Sequence, residues 1–202
     1  MSAASVPARL ALAFGAGVLA LACRTSAPVA ADWPAITAEL HQRVELDQTL
    51  RRQASASEIV DMALFERIAT TDADNTAWMK QLVDHHGWPT LARVGAEGAG
   101  NAWLLVQHAD HDVDFQERCL VLLRAAAAEG QADRKHLAYL EDRVAMHRDR
   151  PQRYGTQFVQ APEGAKGFVP YTLEDPARVD EWRASVGLEP LADYARRING
   201  KE

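Results

Sequence analysis

The chain has little sulfur, no long apolar span and no excess of positive charge. Two cysteines in 202 residues, Cys23 and Cys119, cannot build a disulfide framework or a four-cysteine zinc site. The most apolar run, Leu10 to Ala22, is 13 residues long, against roughly 20 for a transmembrane helix. Lys and Arg number 22 against 28 Asp and Glu, a net charge of -6. That balance excludes the electrostatics of a non-specific nucleic-acid binder. GxSxG, P-loop, HExxH and GxGxxG-plus-acid patterns are all missing, so no single motif names a reaction or a cofactor. There is no internal repeat or low-complexity stretch in the domain.

What is present is ordinary for one folded domain: 48% hydrophobic and 25% charged residues, which excludes wholesale disorder. The N-terminus differs from the rest. Residues 1–22 carry no acid and one base, Arg9, ahead of an apolar core of secretory-signal length. The run ends at Leu19-Ala20-Leu21-Ala22-Cys23, which resembles a bacterial lipobox, so residues 1–22 read as a signal and Cys23 as the lipidated residue. Residues 23–31 are then a tether. The alternative is plain cleavage after Val29-Ala30-Ala31, giving a soluble periplasmic or secreted protein. The expected location is the cell envelope, periplasm-facing and held to the membrane by the anchor. Loss of Arg9 takes the charge from -6 to about -7.

Residues 32–202 read as a single mainly α domain: a compact multi-helix fold with an irregular or β-hairpin segment near 152–171. Apolar periodicity predicts helices over 33–53, from a Ser55-Ala56-Ser57-Glu58 capping box to about Thr70, and from Asp72 to a Gly87/Pro89 stop. A Gly95–Gly100 link, a helix over 101–110, one from Asp114 to Gly130 and one over 133–147 follow. Phe158-Val159 and Phe168-Val169 suggest two short strands, and two short helices close the chain near 175–186 and 190–198. Cys119 falls on the Phe115–Leu122–Ala126 face as a buried hydrophobe.

Polar residues in apolar neighbourhoods mark the candidate site. Gln107, His108 and His111 share a stripe around Leu104, more like a cleft wall than a Lys/Glu-rich solvated face. His86 lies on the Asn75–Trp78–Leu82 stripe. Arg143 and His147 shoulder the Leu137–Leu140–Val144 stripe, with Asp142 pointing outward. Gln152, Tyr154, Thr156 and Gln157 crowd a Gly-containing loop. In this reading His108 or His86 is a general base, oriented by Asp110 or Asp142. Gln107, Arg143, Gln152, Tyr154, Thr156, Gln157 and Trp88 then hold a small-molecule ligand. Each has a plain structural alternative as a core histidine, salt bridge or loop residue. His108 with His111 or Asp112 has ligand spacing on a helix, but no second ligand pair accompanies it, so no metal centre is expected.

These residues also carry a resemblance. His86-Gly87-Trp88-Pro89, Val94-Gly95, Gln107-His108-Ala109-Asp110, Leu140-Glu141-Asp142-Arg143, Gln152 and Tyr154-Gly155-Thr156-Gln157 look like the ordered motif series of an uncharacterised bacterial domain-of-unknown-function family. Arg183, Gly187-Leu188 and Tyr194 are similar to its C-terminal end. The resemblance implies one domain and groups the polar motifs, without supplying a reaction. Three readings stay open: a small hydrolase-like enzyme using water as nucleophile, a non-catalytic ligand-binding domain, and a protein-binding module of inhibitor or immunity type. The first two require His108, His86, Arg143 and Gln157 to converge within about 15 Å.

Overall fold

The computed structural model describes residues 30–57 and 59–200. The predicted signal segment, Cys23 and most of the predicted tether lie outside the described residues, as does Glu58 of the predicted capping box.

Five longer helices form the body. Helix α1 spans Trp33–Ala56, capped by the Asp32 carboxylate on Ala35 N. Helix α2 spans Met62–His86, capped by Asp61, and stops at Gly87 in the left-handed region. Helix α3 spans Leu91–Gln107, α4 Val113–Ala128 and α5 Arg134–His147, the last two capped by Asp112 and Asp133. Strands β1 (Phe158–Gln160) and β2 (Phe168–Pro170) pair antiparallel with Val159 opposite Val169. Helices α6 (Val179–Ser185) and α7 (Leu191–Ile198) end the chain. α3 packs against α1, α2, α4 and α5, so its C-terminal end lies among the other elements. Leu40, Met79, Leu105, Val106, Leu123 and Leu140 form the buried centre. No described helix is long and apolar enough to cross a membrane.

The fold is mainly α with one hairpin, as the periodicity implies. Three boundaries differ. The predicted stop near Thr70 does not exist: α2 runs straight through, because no Gly or Pro breaks it. Asp72 reads like an N-cap in sequence, yet its carboxylate pairs with Arg51 on α1 instead. The Gly95–Gly100 segment is helical apart from one kink at Gly95 (φ 70°). Gly98 is there for packing, since a Cβ would lie 2.8 Å from Val94 Cβ and 3.4 Å from Thr37 on α1. Helix α1 runs on to Ala56 through the predicted Ser55 cap, and Asp61 caps α2 instead.

Candidate functional site

The Gln107–Asp112 turn joins α3 to α4 and distributes its side chains to two networks. His108, at the C-cap of α3, faces α1. Its Nδ1 lies 3.0 Å from Asp47 Oδ1. Asp47 is only 2% exposed and also accepts from Gln48 Nε2 (2.8 Å) and Arg51 Nε (3.0 Å). Arg51 Nη2 reaches Asp72 Oδ1 on α2 at 2.6 Å. Burial pushes the Asp47 carboxyl up, but the His108 hydrogen bond and charge outweigh it, with Gln48 and Arg51 adding to them, and hold it at about 2. Asp47 is thus ionised and can only accept, so His108 Nδ1 carries the proton. His108 Nε2 is left free of hydrogen bonds among the described residues, on a side chain that keeps 17% of its surface exposed. Burial pushes the Asp72 carboxyl up, against the pull of Arg51.

Asp47, Asp72 and His108 place ligand-type atoms within 4.8 Å of one another. Arg51, bonded to both carboxylates, already supplies positive charge there. One turn along the same two helices, Arg43 Nη1 donates to Asn75 Oδ1 at 3.1 Å. Asn75 Nδ2 and, beside His108, Gln107 Oε1 are buried without partners. A cleft of about 330 Å³ lies between α1 and α2, lined by Arg43, Leu46, Thr71 and Asn75 among others, the chain neighbours of Asp47 and Asp72.

Asp110 faces the other way, toward α5. Arg143 grips it with a fork: Nε donates to Oδ1 at 2.7 Å and Nη2 to Oδ2. Arg143 Nη1 donates to Gln157 Oε1 at 3.1 Å. Burial raises the Asp110 carboxyl, but Arg143 leads the lowering effects, which prevail. Fully buried Gln116 ties the same corner to the Val106 carbonyl at 3.1 Å and accepts from His147 Nδ1 at 3.3 Å. The Asp110 carboxylate is therefore committed to Arg143 and does not orient His108.

Asp142, 0% exposed, anchors the YGTQ loop. It accepts from the backbone N–H groups of Arg153, Tyr154 and Thr156 and from the Thr156 hydroxyl, at 2.9 to 3.0 Å. Burial pushes its carboxyl up while those donors oppose the shift. Gln152 acts like a strand partner, accepting from Gln157 N and donating to the Gln157 and Tyr171 carbonyls. Gly155 (φ 65°) leaves no room for a Cβ, which would lie 2.9 Å from Leu191. Asp142, Gln152 and Thr156 thus build the loop and expose nothing to react. Tyr154 is half-buried, with its N–H on Asp142 and its carbonyl on Arg183.

His86 is elsewhere. It sits against Trp33 at the start of α1, ring centroids 6.1 Å apart, while Asp47 is 14 residues further along that helix. At 1.5 Å per residue the separation is about 21 Å. The same 14-residue spacing separates Asp72 from His86 on α2. Trp88 is buried beside this far end, where Arg93 donates to the His86 and Trp88 carbonyls. The four-residue pocket required by the sequence reading is therefore not formed: His86 stands at the far end, Asp110, Arg143 and Gln157 meet at one turn, and His108 leaves that turn toward Asp47, so a site at His108 stands on its own partners.

The sequence reading missed Asp47, Arg51, Asp72 and Gln116. A signal for Asp47 exists: it occupies the inward position three residues from both Val44 and Leu50, where an apolar residue belongs.

The family model for a family of unknown function, DUF6624, matches residues 34–201. The chain belongs to the DUF6624 family. The DUF6624 match starts in the first turn of α1, so Asp47, Asp72, His108, Asp110 and Arg143 all fall inside the domain. Neither a curated protein nor a solved structure matches the chain.

Proposed function

We propose that this DUF6624 protein is an exported, lipid-anchored envelope protein with an acid–base site at His108. Asp47 orients the imidazole, and Nε2 takes a proton from water or from a substrate hydroxyl. Arg51 and Asp72 set the local charge, and the substrate assigned to this site is a small polar molecule. Among the described residues Asp47 is the side chain hydrogen-bonded to His108, and the reaction assigned to it is hydrolase-like, with water as nucleophile. One observation carries this reading: an ionised, buried aspartate fixes one imidazole nitrogen and leaves the other unpaired. A carboxylate–imidazole pair so arranged is a recurrent way to hold a general base. Arg143 and Gln157 brace the turn that carries His108, rather than gripping ligand.

The test is turnover of a panel of p-nitrophenyl esters and phosphates by the full-length protein. His108→Ala is expected to lower the rate by about 10²–10⁴-fold, with circular dichroism unchanged. Diethylpyrocarbonate is expected to modify His108, and more slowly in Asp47→Asn. A rate indifferent to His108→Ala defeats the reading, and retained binding without turnover in wild type favours a binding domain. A wild-type melting temperature raised by Zn²⁺, with no such rise in Asp72→Asn, makes the trio a cation site instead. Export and anchoring rest on the Arg9–Cys23 pattern. Mass spectrometry is expected to find diacylated Cys23, and a free Asp32 N-terminus defeats the anchor.

A further inference from the structure

The face that carries Asp47 and Asp72 does not end at His108. Among the described elements α3 packs against both α1 and α2, and it stops at Gln107. Helix α1 continues nine residues past Asp47, to Ala56, and α2 begins ten residues before Asp72, at Met62. At 1.5 Å per residue the pair projects about 14 Å beyond the imidazole. Seven residues make about two full turns, so Ala54 stands on the Asp47 face of α1 and Phe65 on the Asp72 face of α2. The pairs Arg43–Asn75 and Arg51–Asp72 show that the two helices run antiparallel, which sets Ala54 and Phe65 level with each other.

This projecting face is apolar where a solvated one would be charged. Leu50 and Leu64 are buried, Ala54 and Ile68 are half-buried, and Phe65 keeps 48% of its surface exposed. Met62, 72% exposed, forms the outer lip. The bases Arg52 and Arg67 lie about 140° round their helices from Asp47 and Asp72, so they point off the face. An apolar helix stripe is expected to stop where its packing partner stops; this one runs two turns further. Contiguous exposed apolar surface of this kind marks binding sites. Even with Ile59 and Val60 added at the tip, the apolar side chains on offer fall far short of the roughly 20–30 residues a side of a standard protein interface. The face therefore suits a small apolar group, and its inner end is the unpaired nitrogen of His108.

We propose that the small polar molecule assigned to His108 carries a short acyl chain that lies along this face, against Phe65 and Ile68, which makes the substrate class a short-chain ester. The inference rests on the acid–base reading of His108. In that reaction Nε2 takes a proton from water as the water oxygen bonds to the acyl carbon. The ester C–O bond then breaks and the leaving oxygen recovers the proton from Nε2, so ester and water give acid and alcohol. Phe65 touches the chain rather than the reacting atoms, and it sets the preference for chain length.

Two measurements on the full-length protein test this. The first is kcat/KM for p-nitrophenyl acetate, butyrate and hexanoate, each divided by its background hydrolysis. Hexanoate is expected to exceed acetate by at least about 10-fold, and Phe65→Ser to cut that ratio at least 5-fold. Val121→Ser, at an exposed apolar position on α4, is expected to preserve the ratio. The second is binding of hexanamide, a neutral analogue that resists hydrolysis, read on ¹³C-methyl methionine, with the Met62 peak assigned by its loss in Met62→Leu. Hexanamide is expected to shift that peak saturably while acetamide does not, and Phe65→Ser to weaken the response at least 5-fold. His108-dependent turnover with no chain-length preference and no Met62 shift by 20 mM overturns the inference and leaves the acid–base reading standing. A saturable, Phe65-dependent shift without His108-dependent turnover overturns the ester reaction and the acid–base reading with it, and keeps the acyl-binding face. A dimer at assay concentration that Phe65→Ser dissociates gives the face another occupant and overturns the proposal.

Discussion

At residue 142 a carboxylate does work that a reactive group cannot. Its two oxygens collect three backbone N–H donors and a hydroxyl from one loop. Replacing it with alanine leaves those donors buried and unpaired, each worth about 1–3 kcal/mol. Asp142→Ala is therefore expected to lower unfolding free energy by about 3–5 kcal/mol in urea titrations. His108→Ala, at a half-buried ring, should lower it by about 1 kcal/mol. Similar losses for both would contradict the assignment of Asp142 to architecture and His108 to chemistry. Asp47 predicts a pH effect. Its folded value is depressed to about 2, from an unfolded value near 3.9. The stabilisation is thus complete above pH 4 and lost as pH falls toward 2, amounting to about 2 kcal/mol. In Asp47→Asn the acid limb of the stability curve should flatten between pH 4 and 2. An unchanged limb would remove Asp47 from the ionised role. Cys119 is the opposite kind of residue: burial raises its thiol to about 12, leaving it inert.

Elements decide where those residues meet. α1 contributes Asp47 and Arg51, α2 contributes Asp72, and α3 ends where His108 must stand. Within α3, the turn that follows the Gly95 kink is crowded at Gly98. An alanine there gains about 1 kcal/mol of helix propensity. It also forces a contact with Val94 Cβ at 2.8 Å, and overpacking of that kind costs about 1–3 kcal/mol. The contact involves Cβ atoms that cannot rotate away, so the clash wins. Gly98→Ala is expected to lower the melting temperature by a few degrees, and a rise would mean that α3 can shift freely. Within this continuous helix Thr70 and Thr76 turn their hydroxyls back onto the carbonyls four residues earlier.

On the scale of the whole molecule, the two histidine regions lie at opposite ends of the α1–α2 pair, about 21 Å apart. Residues so separated contribute independently to stability. A double-mutant cycle of His86→Ala and His108→Ala should give a coupling energy below about 0.5 kcal/mol. A larger value would restore the single shared pocket.

Helix content, the hairpin and the burial of Cys119 were legible because they follow from local periodicity, which is a property of neighbours in the chain. The QHAD, LEDR and YGTQ segments were legible as polar groups in apolar settings. Their roles were not, because Asp110 and Asp142 are equally good partners for a histidine until the turn direction is known. Asp72 looked like a cap for the same reason: a short acidic side chain before an apolar stripe serves either purpose. By itself, then, the sequence determined the fold class and the grouping of polar motifs. The tertiary structure alone decided that Asp47, 61 residues away, holds His108, that Arg143 holds Asp110, and that His86 stands apart. Pairings of that kind depend on how helices dock, and docking is set by the packing of several elements at once rather than by any one segment.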